Sequence, residues 1–169
     1  ERRGDVRVFD RLDPKHTAHV VVDLQNGFMA PGQPGAVAGA PGTVATVNRI
    51  SAALRAAGGQ VVYLQHTADP ATAEGWRSYY DYFLTPERRA AMIHAFTPGH
   101  EGHALWLGLD VLAPDWVVRK TRFSAFIQGS SDRPAARTVA RQSASSGTPK
   151  AAWKPAAAAS EAPGMATTR

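Results

Sequence analysis

No Leu, Ile, Phe or Tyr follows Ile127 in this 169-residue chain, and residues 133–169 offer only Val139, Trp153 and Met165 as large apolar side chains. A hydrophobic core therefore has to come from the residues before that point, because a segment that buries almost nothing cannot offset its ordering entropy. Charge divides at the same place. Residues 1–132 carry 13 basic and 13 acidic side chains, whereas beyond them Arg133, Arg137, Arg141, Lys150, Lys154 and Arg169 face Glu161 alone, which accounts for the whole net charge of +5. The sequence thus predicts a neutral folding body over about residues 16–132 and a basic Ala/Pro/Ser-rich tail over 133–169, disordered or encoded in a shifted reading frame. The isoelectric point near 10 belongs to that tail, so nucleic acid is not the expected partner of the body.

Within the body, Ala18-His19-Val20-Val21-Val22 is a continuous β-branched run of the kind expected in a parallel strand buried on both faces. Gly27 to Gly42, rich in Gly and Pro, reads as a loop. Thr43 is the expected cap of a helix whose apolar face is Val44, Val47, Ile50 and Leu54, ended by Gly58-Gly59. Gln60 to Leu64 is a second strand, completing a right-handed βαβ unit. An aromatic stretch, Trp76 to Phe83, precedes a helix capped by Thr85 with Pro86 at its first position. Leu105 to Leu112 is ambiguous, and Trp116 to Lys120 is a third strand entered through Pro114-Asp115. The expectation is an α/β, Rossmann-like parallel sheet with flanking helices, incomplete beyond its first strand.

The chain has no cysteine, which removes disulfides, thiolate metal ligands and a cysteine nucleophile from these residues. The longest apolar run, Ala18 to Val22, is too short for a membrane span. No secretory signal is legible, a cytoplasmic location is expected, and a start at Glu1 instead of Met implies a processed or incomplete N-terminus.

Ligands of open α/β sheets bind beyond the carboxyl ends of the strands. Asp23 ends the first strand and Lys120 the third, so both belong to that rim. A general base held by an ammonium and a structural ion pair closing the strand ends both satisfy that placement.

The stretches Val-Val-Val-Asp-Leu-Gln-Asn-Gly-Phe (20–28) and Val-Val-Arg-Lys-Thr-Arg-Phe-Ser-Ala-Phe (117–126) resemble the isochorismatase-like cysteine hydrolases over about residues 16–132. The resemblance implies hydrolysis of a small amide, ureido or related C–N substrate without a cofactor. Asp23 would be the catalytic acid–base residue and Lys120 the catalytic lysine. Gln25, Phe28 and Trp76 fall where related enzymes contact substrate, and intact relatives are commonly oligomeric.

The chain departs from the family at its nucleophile. The family's Cys follows a fourth strand, and neither that strand nor any Cys is legible here. Ser124 and Ser130 lie in the wrong segment to replace it. An inactive member is therefore expected, with a non-catalytic binding or scaffold protein bearing a basic tail as the alternative. No metal site is expected. Asp69 is followed by Pro70-Ala71 and lacks the Asp-x-His pair of some members, while His66, His94, His100 and His103 read as solvated loop histidines. The aromatic group of Trp76, Tyr79, Tyr80 and Tyr82 reads as packing as readily as a pocket wall.

Overall fold

The alternation of β-branched runs with helical segments produces a three-stranded parallel sheet, described over residues 11–127 of a computed structural model. The strands are β1 (Ala18–Val22), β2 (Gln60–His66) and β3 (Trp116–Lys120), in the order β1-β2-β3. The register places Val21, Tyr63 and Val117 in one row and Val22, Leu64 and Val118 in the next. The expected tail over 133–169 lies outside the described residues.

The β1–β2 crossover is α2 (Val44–Ala56), preceded by a short helix, α1 (Asn26–Met29), and a 3-10 turn at Ala40–Thr43. The Gly-rich segment read as a loop is thus partly helical. Gly35 fits there because its Cβ would lie 2.6 Å from the Phe28 ring. Thr43 occupies the N-cap of α2, but its hydroxyl donates to Ala40 O instead of capping the helix. The buried face of α2 also differs from expectation. Ser51 is fully buried and paired with His19, whereas Ile50 is 45% exposed. Val44 and Val47 keep the inward positions, packing with Val21, Val61, Tyr63 and Leu109 into one of two apolar clusters of the described residues, and Leu54 is half-buried beside Gly59.

Arg55 anchors the end of α2. Its guanidinium grips Asp115 with two bonds of 2.8 and 2.6 Å and also donates to Asp110 O. Asp115 is 5% exposed, so this is a desolvated, two-pronged pair that fixes where β3 begins. The Asp115 hydrogen bond raises the Arg55 pKa further.

The second cluster lies past the ends of the strands. Here α3 (Pro70–Glu74), α4 (Arg77–Tyr80) and α5 (Pro86–Phe96) surround Ala68, Ala73, Tyr80, Met92, Ala95 and Phe96. Thr85 caps α5 through its hydroxyl and Pro86 sits in the first turn, as the sequence predicts. Residues 105–112 form no regular element, but an antiparallel bridge joins Leu105 to Gln25 and closes the first cluster.

One expectation for the sheet fails. β1 is not buried on both faces: Val21 is 4% exposed, but Val20 and Val22 are 48% and 52% exposed. The helix α2 covers the Val21–Val61–Tyr63 face of the sheet. The side chains of Val20, Val22 and Trp116 stand half in water.

Candidate active site

Asp23 follows β1 directly, with φ of 57°, a left-handed conformation that a short polar side chain tolerates better than most. Its amide donates to Leu64 O at 3.0 Å, and the Gln25 amide donates back to Asp23 O at 2.8 Å. The chain is thereby turned sharply at the strand end. On the far side of β2, Lys120 closes β3, its backbone tied by the Thr67 amide at 2.8 Å. The two side chains meet across the end of β2: Lys120 Nζ lies 2.7 Å from Asp23 Oδ2. The lysine side chain is 3% exposed and the aspartate 24%. Lys120 Nζ also donates to Arg122 O at 3.3 Å.

The other oxygen, Asp23 Oδ1, is buried and has no hydrogen-bond partner among the described residues. Burial raises the Asp23 pKa above the ordinary carboxylate value, outweighing the opposing pull of Lys120. A carboxylate with one oxygen held by an ammonium and the other left free is a positioned, strengthened base.

Gln25 is fully buried, and its amide serves the backbone. Nε2 donates to His66 O (2.9 Å) and His103 O (2.8 Å), while Oε1 accepts from the His66 amide (2.6 Å). This clasp holds the loop after β1 against the end of β2. His66 and His103 are 7% and 3% exposed, which corrects the expectation of solvated histidines. Burial takes both down to about 4, helped by the Lys120 charge for His66 and by Arg119 for His103. His103 lies 2.9 Å from the Thr67 hydroxyl, and the His66 ring packs edge-on to Phe96. By contrast, His94 is exposed and His100 half-buried, their rings edge to face. Among the described residues no group of three or more His, Cys, Asp or Glu could hold a metal ion. Asp69 makes a capping box with Thr72 at the start of α3.

Phe28 is half-buried with its ring 4.3 Å from that of Phe96, so it is part of the second cluster. Trp76 stacks on Tyr79 at 4.5 Å, receives the edge of Phe123 at 4.8 Å and carries the Arg122 guanidinium 5.1 Å from its ring. Arg122 also donates to Gly75 O at 2.7 Å, tying the aromatic segment to the residues that follow Lys120. Tyr80 is buried, whereas Tyr82 is 84% exposed, so packing accounts for one and not the other. The sequence reading did not find Arg122, Asp115 or the buried state of His66 and His103. Each depends on partners about 30 to 60 positions away, which no local pattern shows.

The sequence model of the isochorismatase domain matches residues 17–144. The chain belongs to the isochorismatase family. A ureidoacrylate amidohydrolase of Rhizobium rhizogenes is 33% identical over 139 residues, covering 72% of this chain and 54% of the relative. Its counterpart in Agrobacterium fabrum is 30% identical, covering 72% and 58%. A cysteine hydrolase from Pseudomonas syringae pv. phaseolicola superposes with a TM-score of 0.58 at 24% identity, over 69% of this chain and 52% of that one, and shows the shared fold. The chain spans about half the length of the curated family members it matches. No described helix is long and apolar enough to cross a membrane.

Proposed function

We propose that residues 17–127 carry the proton-handling half of an active site that hydrolyses a small amide or ureido C–N bond. The observation that supports it is the asymmetry of Asp23, with Oδ2 on Lys120 Nζ at 2.7 Å and Oδ1 buried and unpartnered. Asp23 Oδ1 takes the proton of an attacking nucleophile and returns it to the departing nitrogen. Lys120 keeps the carboxylate in place and favours the anionic nucleophile through its charge. Gln25 acts through its backbone clasp, and Phe28 and Trp76 are the aromatic groups for the substrate. A ureidoacrylate-like substrate is the first choice, since two relatives bear that activity in their names. A cytoplasmic setting belongs to the same proposal.

The 169 residues include no cysteine, so by themselves they do not supply a thiolate. Their pair needs a nucleophile from elsewhere. A chimera tests this: residues 17–127 replace the matching part of the Rhizobium rhizogenes relative, whose remaining sequence is kept. Hydrolysis of ureidoacrylate by the chimera, with none by the 169-residue chain alone, is the expected result. A folded chimera that leaves ureidoacrylate and a panel of small amides untouched refutes the proposal.

A further inference from the structure

Arg122 binds two parts of the site at once. Its carbonyl accepts from Lys120 Nζ at 3.3 Å, while the same ammonium holds Asp23 Oδ2 at 2.7 Å. Its side chain reaches the aromatic segment. Nη2 donates to Gly75 O at 2.7 Å, and Nη1 lies 3.0 Å from Thr121 O and 3.5 Å from Thr72 O. Thr72 and Gly75 stand at the end of α3, where carbonyls that lack helical partners attract a cation. A Cβ at Gly75 would come within 3.3 Å of Nη2, so glycine leaves room for this approach. The guanidinium carbon also lies 5.1 Å from the centre of the Trp76 ring, within cation–π range. Phe123, the next residue, sets its ring edge-to-face with Trp76 at 4.8 Å and with Tyr79 at 5.1 Å. Trp76 is thus gripped by Tyr79 from its own segment and by two residues that closely follow Lys120.

A structural role, tying down the end of α3, accounts for the bonds to Gly75 O and Thr72 O. It does not account for the carbonyl at Lys120 Nζ, which belongs to the same residue and adds a neutral acceptor beside the carboxylate. We infer that Arg122 is a positioning residue: its carbonyl and guanidinium together register the Trp76 ring against the Lys120 ammonium, so that a disturbance of one reaches the other. The lysine side chain is 3% exposed, so an acceptor lost from Nζ is replaced only by letting water in. Arginine suits the task because its planar fork bonds several carbonyls while its face lies on a ring, which a single ammonium does not reproduce. Where Trp76 contacts substrate and Lys120 serves the nucleophile, Arg122 fixes the substrate relative to the reacting atoms. That consequence rests on the proposed function; the coupling itself does not.

The test follows hydrogen exchange of the Lys120 ammonium by nitrogen-15 NMR in the full 169-residue chain, a readout that needs no turnover and so stands apart from the proposed function. Arg122→Met should speed that exchange about tenfold or more, as the carbonyl drifts from Nζ. Arg122→Lys keeps the charge and most of the stem, serves where Arg122→Met does not fold, and should speed exchange as well. Trp76→Leu, which takes away the ring under the guanidinium, should speed exchange about threefold or more in the wild-type background and add almost nothing beside Arg122→Met. A folded Arg122→Met chain with a lower melting temperature but unchanged ammonium exchange overturns the inference and leaves only the structural role. So does full rescue by Arg122→Lys, or a Trp76→Leu effect of equal size with and without Arg122.

Discussion

Acidification should destabilise this domain well before its carboxylates are all protonated, because two histidines are buried as neutral rings. In the folded chain His66 and His103 are brought down from 6.5 to about 4. As the pH falls through 6.5 the unfolded chain takes up a proton on each ring, while the folded chain waits until about 4. The unfolded state therefore binds more protons across that window, and stability declines with pH throughout it. At about 1.4 kcal/mol per tenfold in proton affinity, each ring contributes at most about 3 kcal/mol. Together they approach the whole stability of an ordinary domain, roughly 5–15 kcal/mol. Asp23 works in the opposite sense. Its raised pKa means that protonation on acidification relieves a buried charge, offsetting part of the loss. Urea unfolding followed by tryptophan fluorescence at about pH 7, 6 and 5 measures the balance, and the midpoint should fall at each step. His103→Gln, which keeps an amide near Thr67 but cannot titrate, should roughly halve the slope. A midpoint that does not move between about pH 7 and 5 would refute the reasoning, as would an unchanged slope in the variant.

Asp23→Asn leaves the buried Lys120 ammonium without its carboxylate and should cost about 3 kcal/mol in urea unfolding; a loss under about 1 kcal/mol would mean the pair is already well hydrated. Gly102→Ala would place a Cβ 2.6 Å from Ala95 O, a backbone atom, and should lower stability by about 1–3 kcal/mol, read as a drop in melting temperature. Asp69→Ala removes the capping box of α3 and should cost about 1 kcal/mol, while added zinc leaves the wild-type melt unchanged.

The parts of the fold visible in the sequence are those encoded locally. The β-branched runs at β1 and β2, the Thr85–Pro86 start of α5 and the Gly58-Gly59 stop of α2 are each written within a few residues. That Asp23 and Lys120 come together was legible because each lies at a strand end inside a longer matching stretch. What escaped depends on distant partners. Ser51 replaces Ile50 in the buried face because His19 supplies a hydrogen bond that periodicity cannot show. His103 is buried because Thr67 and Gln65 lie nearby through the fold, 36 and 38 positions away in sequence. Gln25 looked like a substrate contact by position, yet its amide is occupied by the backbone of residues 66 and 103. Apolarity alone also overstated β1: a run of valines records affinity for a covered face, not whether these residues provide the cover.

The central claim is that Asp23 and Lys120 act as one proton-handling unit, and the most direct measurement is kcat for ureidoacrylate in the chimera and three variants of it, Asp23→Asn, Lys120→Met and the double substitution. Each single change should lower kcat about 10²–10⁴-fold, and the double change should cost little more than either, as for residues that work as a unit. Folded variants that keep near-full activity would contradict the claim, and so would losses that multiply in the double substitution.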